Sequence, residues 1–207
     1  MRKIIFDLDH TLFDTTKWRD AVFMLLEEVG VAKKDILETF EQVYLLHQGK
    51  YDTVLHLNLL TENAVLSEKQ HKEIKERYTA LNFAQFLIPG TQEMLPALSP
   101  NNELWLLTRG IPRMQKEKIA RSSIDHFFEE RVIVVPNDKM PAFDIIDITS
   151  GDVFVNDHME ETTRAAMTFP LLRCVLFKRD DRTYEPSPPV GIEYLEQLAD
   201  LPHLLGL

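Results

Sequence analysis

The chain has 207 residues, 44% of them hydrophobic and 27% charged, an ordinary composition for a soluble globular protein with room for a full core and a small insert. Its net charge of −10 argues against nucleic acid as the main partner, because such interfaces concentrate Lys and Arg, but it leaves room for a small phosphorylated substrate neutralised by a metal and a few placed cations. No apolar run approaches a membrane span, the N-terminus enters a strand-like run rather than a leader, and Cys174 is the one cysteine, so a cytoplasmic chain without a membrane partner or an internal disulfide is expected.

The first ten residues carry the strongest signal. Ile4-Ile5-Phe6 is an unbroken β-branched and aromatic run, as suits a strand buried on both faces of a parallel sheet. Asp7 falls at its carboxyl end, where open α/β sheets bind ligands. Asp9 and Thr11 follow at i+2 and i+4, making an oxygen-rich anionic cluster of the kind that hard cations such as Mg²⁺ accept. An Asp in this place can also act as a nucleophile and form an acyl-phosphate. The bland reading is a turn or a helix cap.

Asp14-Thr15-Thr16 then reads as a hinge and cap. Trp18, Ala21, Val22, Leu25 and Val29 have helical spacing up to Gly30, and Ile36, Phe40, Val43, Tyr44 and His47 repeat it up to Gly49. A short helix is predicted over 51–60. Ser67 to Gln70 reads as a capping box opening a fourth helix with His71, Ile74, Tyr78 and Leu81. Residues 16–84 are thus expected to be all helical. His47, His56 and His71 lack the i, i+4 pairing of a helical zinc site and read as surface or core residues.

From 85 onward the pattern returns to strands alternating with helices. A helix is predicted over 91–99 with Pro96 as a flaw. The apolar run 104–107 ends in Thr108-Arg109-Gly110 before a helix near 112–121, a terminus suited to binding phosphate oxygens. A third strand, 132–135, leads to Lys139 at a helix start. A fourth, 152–157, ends in Asp157, with Glu160 and Glu161 in the following helix. A fifth spans 172–177 and contains Cys174, which reads as a buried small hydrophobe. Residues 179–189 read as a surface loop, and Ile192, Leu195 and Leu198 suggest a final helix. The expected fold class is α/β, a doubly wound parallel sheet with an inserted all-helical cap: a core of 1–15 and 85–207, and a cap of 16–84.

The run Phe6-Asp7-Leu8-Asp9-His10-Thr11-Leu12-Phe13-Asp14 resembles the first motif of the haloacid dehalogenase (HAD) superfamily, most of whose members are phosphatases, with His10 where Gly or Asn is commoner. Thr108 resembles the second motif. Lys139 resembles the third, with Lys116 and Lys118 as rivals that sit mid-helix on a face expected to be solvated. Asp157 resembles the fourth, with Asn156 in place of the usual Gly. Glu161 is preferred to Glu160 as its second acid, and His158 is read as a cap of that helix. A helical insert after the first motif resembles the cap of many members.

What the resemblance implies is a Mg²⁺-dependent phosphomonoesterase acting on a small metabolite. Asp7 would be the nucleophile and Asp9 the acid and base. The carboxylates of Asp7 and Asp157 and the carbonyl of Asp9 would hold the metal. Thr108, Lys139 and Arg109 would bind substrate, with Thr11 and Glu161 in support and the cap choosing the leaving group. Asp9 favours phosphate chemistry over dehalogenation, which needs no acid for an alkoxide. A phosphomutase would use the same residues, and a non-catalytic relative is the binding-protein alternative. A phosphonatase would need a cap lysine such as Lys17, Lys33 or Lys34. A receiver domain fits poorly, since its acceptor Asp comes later in the chain and no large insert follows strand one. A homodimer is compatible with the sequence.

Overall fold

The computed structural model describes residues 1–207. In chain order the elements are β1 (Arg2–Phe6), α1 (Thr15–Glu28), α2 (Lys33–Leu46), α3 (Thr53–Glu62), α4 (Glu68–Ala80), a 3-10 turn (Phe83–Phe86), α5 (Thr91–Leu98), β2 (Asn102–Arg109), α6 (Pro112–Arg121), α7 (Asp125–Phe128), β3 (Val132–Val135), α8 (Met140–Ile146), β4 (Val153–Asn156), α9 (Met159–Thr168), β5 (Arg173–Phe177), β6 (Ile192–Leu195), a second 3-10 turn (Leu198–Asp200) and α10 (Leu201–Leu204). No helix is long and apolar enough to cross a membrane.

The six strands form one sheet in the order β3-β2-β1-β4-β5-β6, and every pairing is parallel. β1 is central: Ile4 lies beside Leu104 on one edge and Val153 on the other. Ile4, Ile5 and Phe6 are therefore wholly buried. By the two-residue alternation of a strand, Ile5 faces a core with Phe143, Phe154 and Ala165, while Phe6 meets the edge of the Phe128 ring on the other side. The chain winds outward from β1 through β2 to β3, then restarts at β4 and winds the other way. The strand order thus reverses between β1 and β4, and a crevice opens at their carboxyl ends.

The chain divides into two compact units, Met1–Asp14 with Ala84–Leu207, and Thr15–Phe83. In the first, the segments leaving and re-entering the sheet are pinned to each other: Phe13 bridges Leu87, and the Asp14 N–H donates to the Phe86 carbonyl at 2.7 Å. Gly90 then starts α5 with φ of 89° and lies so close to the 198–200 turn that a Cβ would stand 2.7 Å from the Ala199 nitrogen. Position and space both require glycine there.

The second unit is α1 to α4 packed around Leu26, Ile36, Leu60, Leu66 and Ile74. The Asp52 side chain caps α3, and the Ser67–Gln70 box caps α4 through reciprocal bonds. Tyr44, expected on the buried stripe, is 45% exposed, and Thr39 takes the inward place instead. Its hydroxyl turns back to the Asp35 carbonyl at 2.6 Å and meets His56 at 2.8 Å.

The end of the chain corrects the expected final helix. Ile192-Glu193-Tyr194-Leu195 is strand β6, paired with β5 from Cys174 to Phe177. The three-residue spacing of Ile192, Leu195 and Leu198 mimics a helix, but the element between the polar loop and the 198–200 turn is only the four residues Ile192–Leu195. Pairing them covers the open edge of β5, whose backbone groups would otherwise stay exposed. Arg173 and Glu193 then form a two-pronged ion pair at 2.5 and 2.7 Å across the same strands.

Candidate active site

Because β1 and β4 flank the reversal, the acids that follow them come to one crevice. Asp7 is the first residue after β1, and its N–H donates to the Val155 carbonyl of β4 at 2.9 Å. Asp157 is the first residue after β4. The turn after β1 is held by its own backbone: the Leu8 carbonyl accepts from the N–H groups of Thr11, Leu12 and Phe13. His10 takes a left-handed φ of 64° in it. The Thr11 hydroxyl, expected to brace this loop, is buried without a hydrogen-bond partner. The brace is the carbonyl of Leu8.

Each acid is matched to a cation. Lys139, at the start of α8, is almost wholly buried and places Nζ 2.9 Å from Asp7 Oδ1 and 2.7 Å from Glu161 Oε2. Asn156 Nδ2 donates to the same Glu161 oxygen at 3.1 Å. Glu161 is thus the acid of α9 that turns inward, while Glu160 is exposed. His158 caps α9 by accepting the Glu161 N–H at 3.3 Å. Asp157 accepts from Arg179 at 3.2 Å, and Arg182 lies 3.5 Å from the same oxygen. These arginines come from the loop after β5, which reads in sequence as plain surface.

Asp9 is held from α6. Lys118 Nζ is 2.6 Å from Asp9 Oδ1, and Gln115 Nε2 donates to Oδ2 at 2.6 Å. The same Gln115 nitrogen donates to Thr108 Oγ1 at 2.7 Å and reaches the Arg109 carbonyl at 3.3 Å. The expectation of a solvated Lys118 is therefore wrong: it is 4% exposed. Lys116, on the other face of α6, is exposed. The Arg109 side chain is exposed as well, and its charge acts on Glu161.

The electrostatics follow from this packing. Burial pushes the Asp7 carboxyl up to about 7. Lys139 works against that shift, while the charges of Asp157 and Asp9 add to it. Burial also works against the charge of Lys139, but Asp7 and Glu161 together hold it above its usual value. For Glu161, burial is outweighed by Lys139, and its carboxyl lies below the usual range. His10 is held low by burial and by the nearby Arg179 charge.

The donor set suits a hard dication. Two buried carboxylates, Asp7 and Asp157, stand close enough for one to perturb the other, and the Asp9 carbonyl follows on the same turn. No cage of three or more His, Cys, Asp or Glu side chains exists. Mg²⁺ does not need one, since it commonly takes one or two carboxylates and keeps several waters.

Asp7, Asp9, Thr108, Lys139, Asp157 and Glu161 all lie in the first compact unit, on or just beyond β1, β2 and β4 or at the starts of α8 and α9. Sequence reasoning missed Gln115, Arg179 and Arg182 and misplaced Lys118. A signal for two of them exists: Met114, Gln115, Lys118 and Ile119 share the buried face of α6. Polar residues on an otherwise apolar stripe need a buried partner.

A doubly wound parallel sheet with carboxylates just beyond both strands of its reversal, each paired with a cation, defines the class of α/β protein to which this chain belongs. No family model matches the chain. In sequence, it is 28% identical over 142 residues to a glyceraldehyde 3-phosphate phosphatase from Methanothermobacter thermautotrophicus; the match covers 64% of this chain and 62% of that protein, less than two thirds of the relative's length. A protein described as a haloacid dehalogenase-like hydrolase from Burkholderia xenovorans superposes with a TM-score of 0.76 at 21% identity, over 98% of this chain and 95% of that one. A protein described as a HAD-hydrolase from Bacillus subtilis, bound to magnesium, superposes with a TM-score of 0.61 at 16% identity, over 100% of this chain and 99% of that one. Other matching structures are haloacid dehalogenases and a protein described as a β-phosphoglucomutase. The chain shares its fold with these haloacid dehalogenase-like structures.

Proposed function

We propose that this chain is a Mg²⁺-dependent phosphomonoesterase of the HAD superfamily, acting on a small phosphorylated metabolite through an aspartyl-phosphate. The observation that carries the reading is Asp9. It follows two residues after the nucleophile candidate, and its carboxylate is fixed by Lys118 and Gln115 beside Thr108. Cleaving a carbon–halogen bond gives a carboxylate no alkoxide to protonate, whereas a phosphate ester does. The relative named as a phosphatase supports the same direction.

In this reading the Asp7 carboxylate attacks phosphorus and the ester P–O bond breaks. Asp9, which must enter the cycle protonated, gives its proton to the departing alkoxide. It then takes a proton from the water that attacks the aspartyl-phosphate, which releases phosphate and regenerates Asp7. Thr108 and Lys139 take the equatorial oxygens. Asp7, Asp157 and the Asp9 carbonyl would hold Mg²⁺, which supplies charge neutralisation between the carboxylate and the phosphate. We assign the choice of leaving group to the helical unit of residues 15–83.

The test is phosphate release from a panel of sugar phosphates, nucleotides, phosphoglycolate and an aryl phosphate in Mg²⁺, with Asp7→Asn as control. Turnover by the parent that is lost in the variant is expected. Release that persists in pure Asp7→Asn would sink the nucleophile assignment. The fold shared with a β-phosphoglucomutase makes mutase activity the second reading, and a sugar phosphate rearranged without phosphate release would select it.

A further inference from the structure

We propose that Gln115 is a positioning residue that holds Asp9, in register with Thr108, for proton transfer to the leaving group; this rests on the phosphatase reading. Its side-chain amide is almost wholly buried and lies between the two residues. One nitrogen donates to Asp9 Oδ2 at 2.6 Å and to Thr108 Oγ1 at 2.7 Å, with the Arg109 carbonyl at 3.3 Å. All three partners can accept. The amide therefore must present its NH₂ end here, since its oxygen would face a carboxylate and a carbonyl.

That polarity has two consequences. Thr108 receives a hydrogen bond at its oxygen, so its own O–H proton is the part left to point at a phosphate oxygen. Asp9 receives Gln115 on one oxygen and Lys118 on the other, so its carboxylate plane is fixed from both sides. The acid and the phosphate-binding hydroxyl are then set by one rigid group. Gln115 is itself held by the start of α6, where its N–H donates to the Ile111 carbonyl at 3.0 Å. Gly110 makes the space: a Cβ there would stand 2.9 Å from Gln115 Cγ and Cδ. No left-handed φ calls for glycine at this position, so the requirement is room for the glutamine.

The full chain with Mg²⁺ would be assayed as parent, Gln115→Met and Gly110→Ala, on an alkyl phosphomonoester and on 4-nitrophenyl phosphate. Both kcat/KM values report steps up to the aspartyl-phosphate. An alkoxide needs its proton as it leaves; 4-nitrophenolate scarcely does. Gln115→Met should cost about 10²-fold in kcat/KM on the alkyl ester, the low end for a general acid, and only about 3-fold or less on the aryl ester. Gly110→Ala, which pushes the glutamine aside without removing it, should give the same selective loss. Equal losses on both esters, or none, would overturn the role of Gln115 while leaving the phosphatase reading intact. A parent that hydrolyses neither ester would overturn both.

Discussion

Asp7 carries the sharpest conflict in the molecule. It is buried beside Lys139, yet burial and the charges of Asp157 and Asp9 still raise its carboxyl from 3.8 to about 7. A raised acid binds its proton more tightly in the folded chain than in the unfolded one. Its contribution to stability is present at low pH and is lost as pH rises from about 4 through about 7. Asp7→Asn cannot ionise and escapes that loss. In chelator at pH 8 the variant should melt a few degrees above the parent, and at pH 4 the difference should vanish. A parent that melts higher at pH 8 would show that the Lys139 pair outweighs the cost of burying the charge. A carboxyl kept from water in this way costs stability once ionised, which is the cost the proposed nucleophile role would carry.

At the scale of elements, β1, β2 and β4 were legible because each is a short apolar run broken by an acid or a threonine, and a buried parallel strand has few other ways to read. β6 was not legible, because four residues, buried at the two ends and half-buried between, show no two-residue alternation and are a strand only against the edge of β5. The pairing of Asp9 with α6 was hidden for a related reason. Helical periodicity marks Gln115 and Lys118 as inward, but which buried group they meet depends on how far α6 lies from the end of β1, and that is a tertiary distance. The loop after β5 misled through its composition: it is polar and proline-rich, yet the Arg179 side chain is only 14% exposed, against Asp157.

His56 shows how the helical unit is tuned. Its Nε2 faces the Ile36 carbonyl at 3.2 Å and Thr39 Oγ1 at 2.8 Å, so that nitrogen carries the hydrogen, and Nδ1 accepts from the Tyr51 hydroxyl at 2.8 Å. The neutral ring is thus fully satisfied, and burial lowers its pKa from 6.5 to about 4. The unfolded chain binds this proton first as pH falls. The stability the neutral ring provides is therefore whole above about 6.5 and is lost towards pH 4, a swing on the order of 3 kcal/mol. His56→Gln should flatten the dependence: between pH 7.5 and 5 its melting temperature should fall less than the parent's. Parallel curves for the two proteins would remove His56 as the source.

Taken whole, the chain is strongly acidic, with a net charge of −10, yet its crevice is close to balanced. Lys139 answers Asp7 and Glu161, Lys118 answers Asp9, and two arginines answer Asp157. In the proposed reading, Mg²⁺ held by Asp157 would have to compete with a guanidinium for that carboxylate. The competition is uneven. Asp157 is 4% exposed, so its pairing is little screened by salt, and Arg179 is also tied through its second nitrogen to Asp181 at 2.5 Å. Removing Arg179 leaves Asp157 with only the longer contact from Arg182. Arg179→Ala should therefore bind Mg²⁺ more tightly in titration calorimetry without substrate, by about 3- to 10-fold for the loss of a partly buried pair worth about 1 kcal/mol. Arg121→Ala, which breaks a pair with Glu117 on α6, should leave the affinity alone and separates local competition from a change in overall charge. If both variants tighten Mg²⁺ equally, net charge governs the site. If neither does, Asp157 is not where the metal binds.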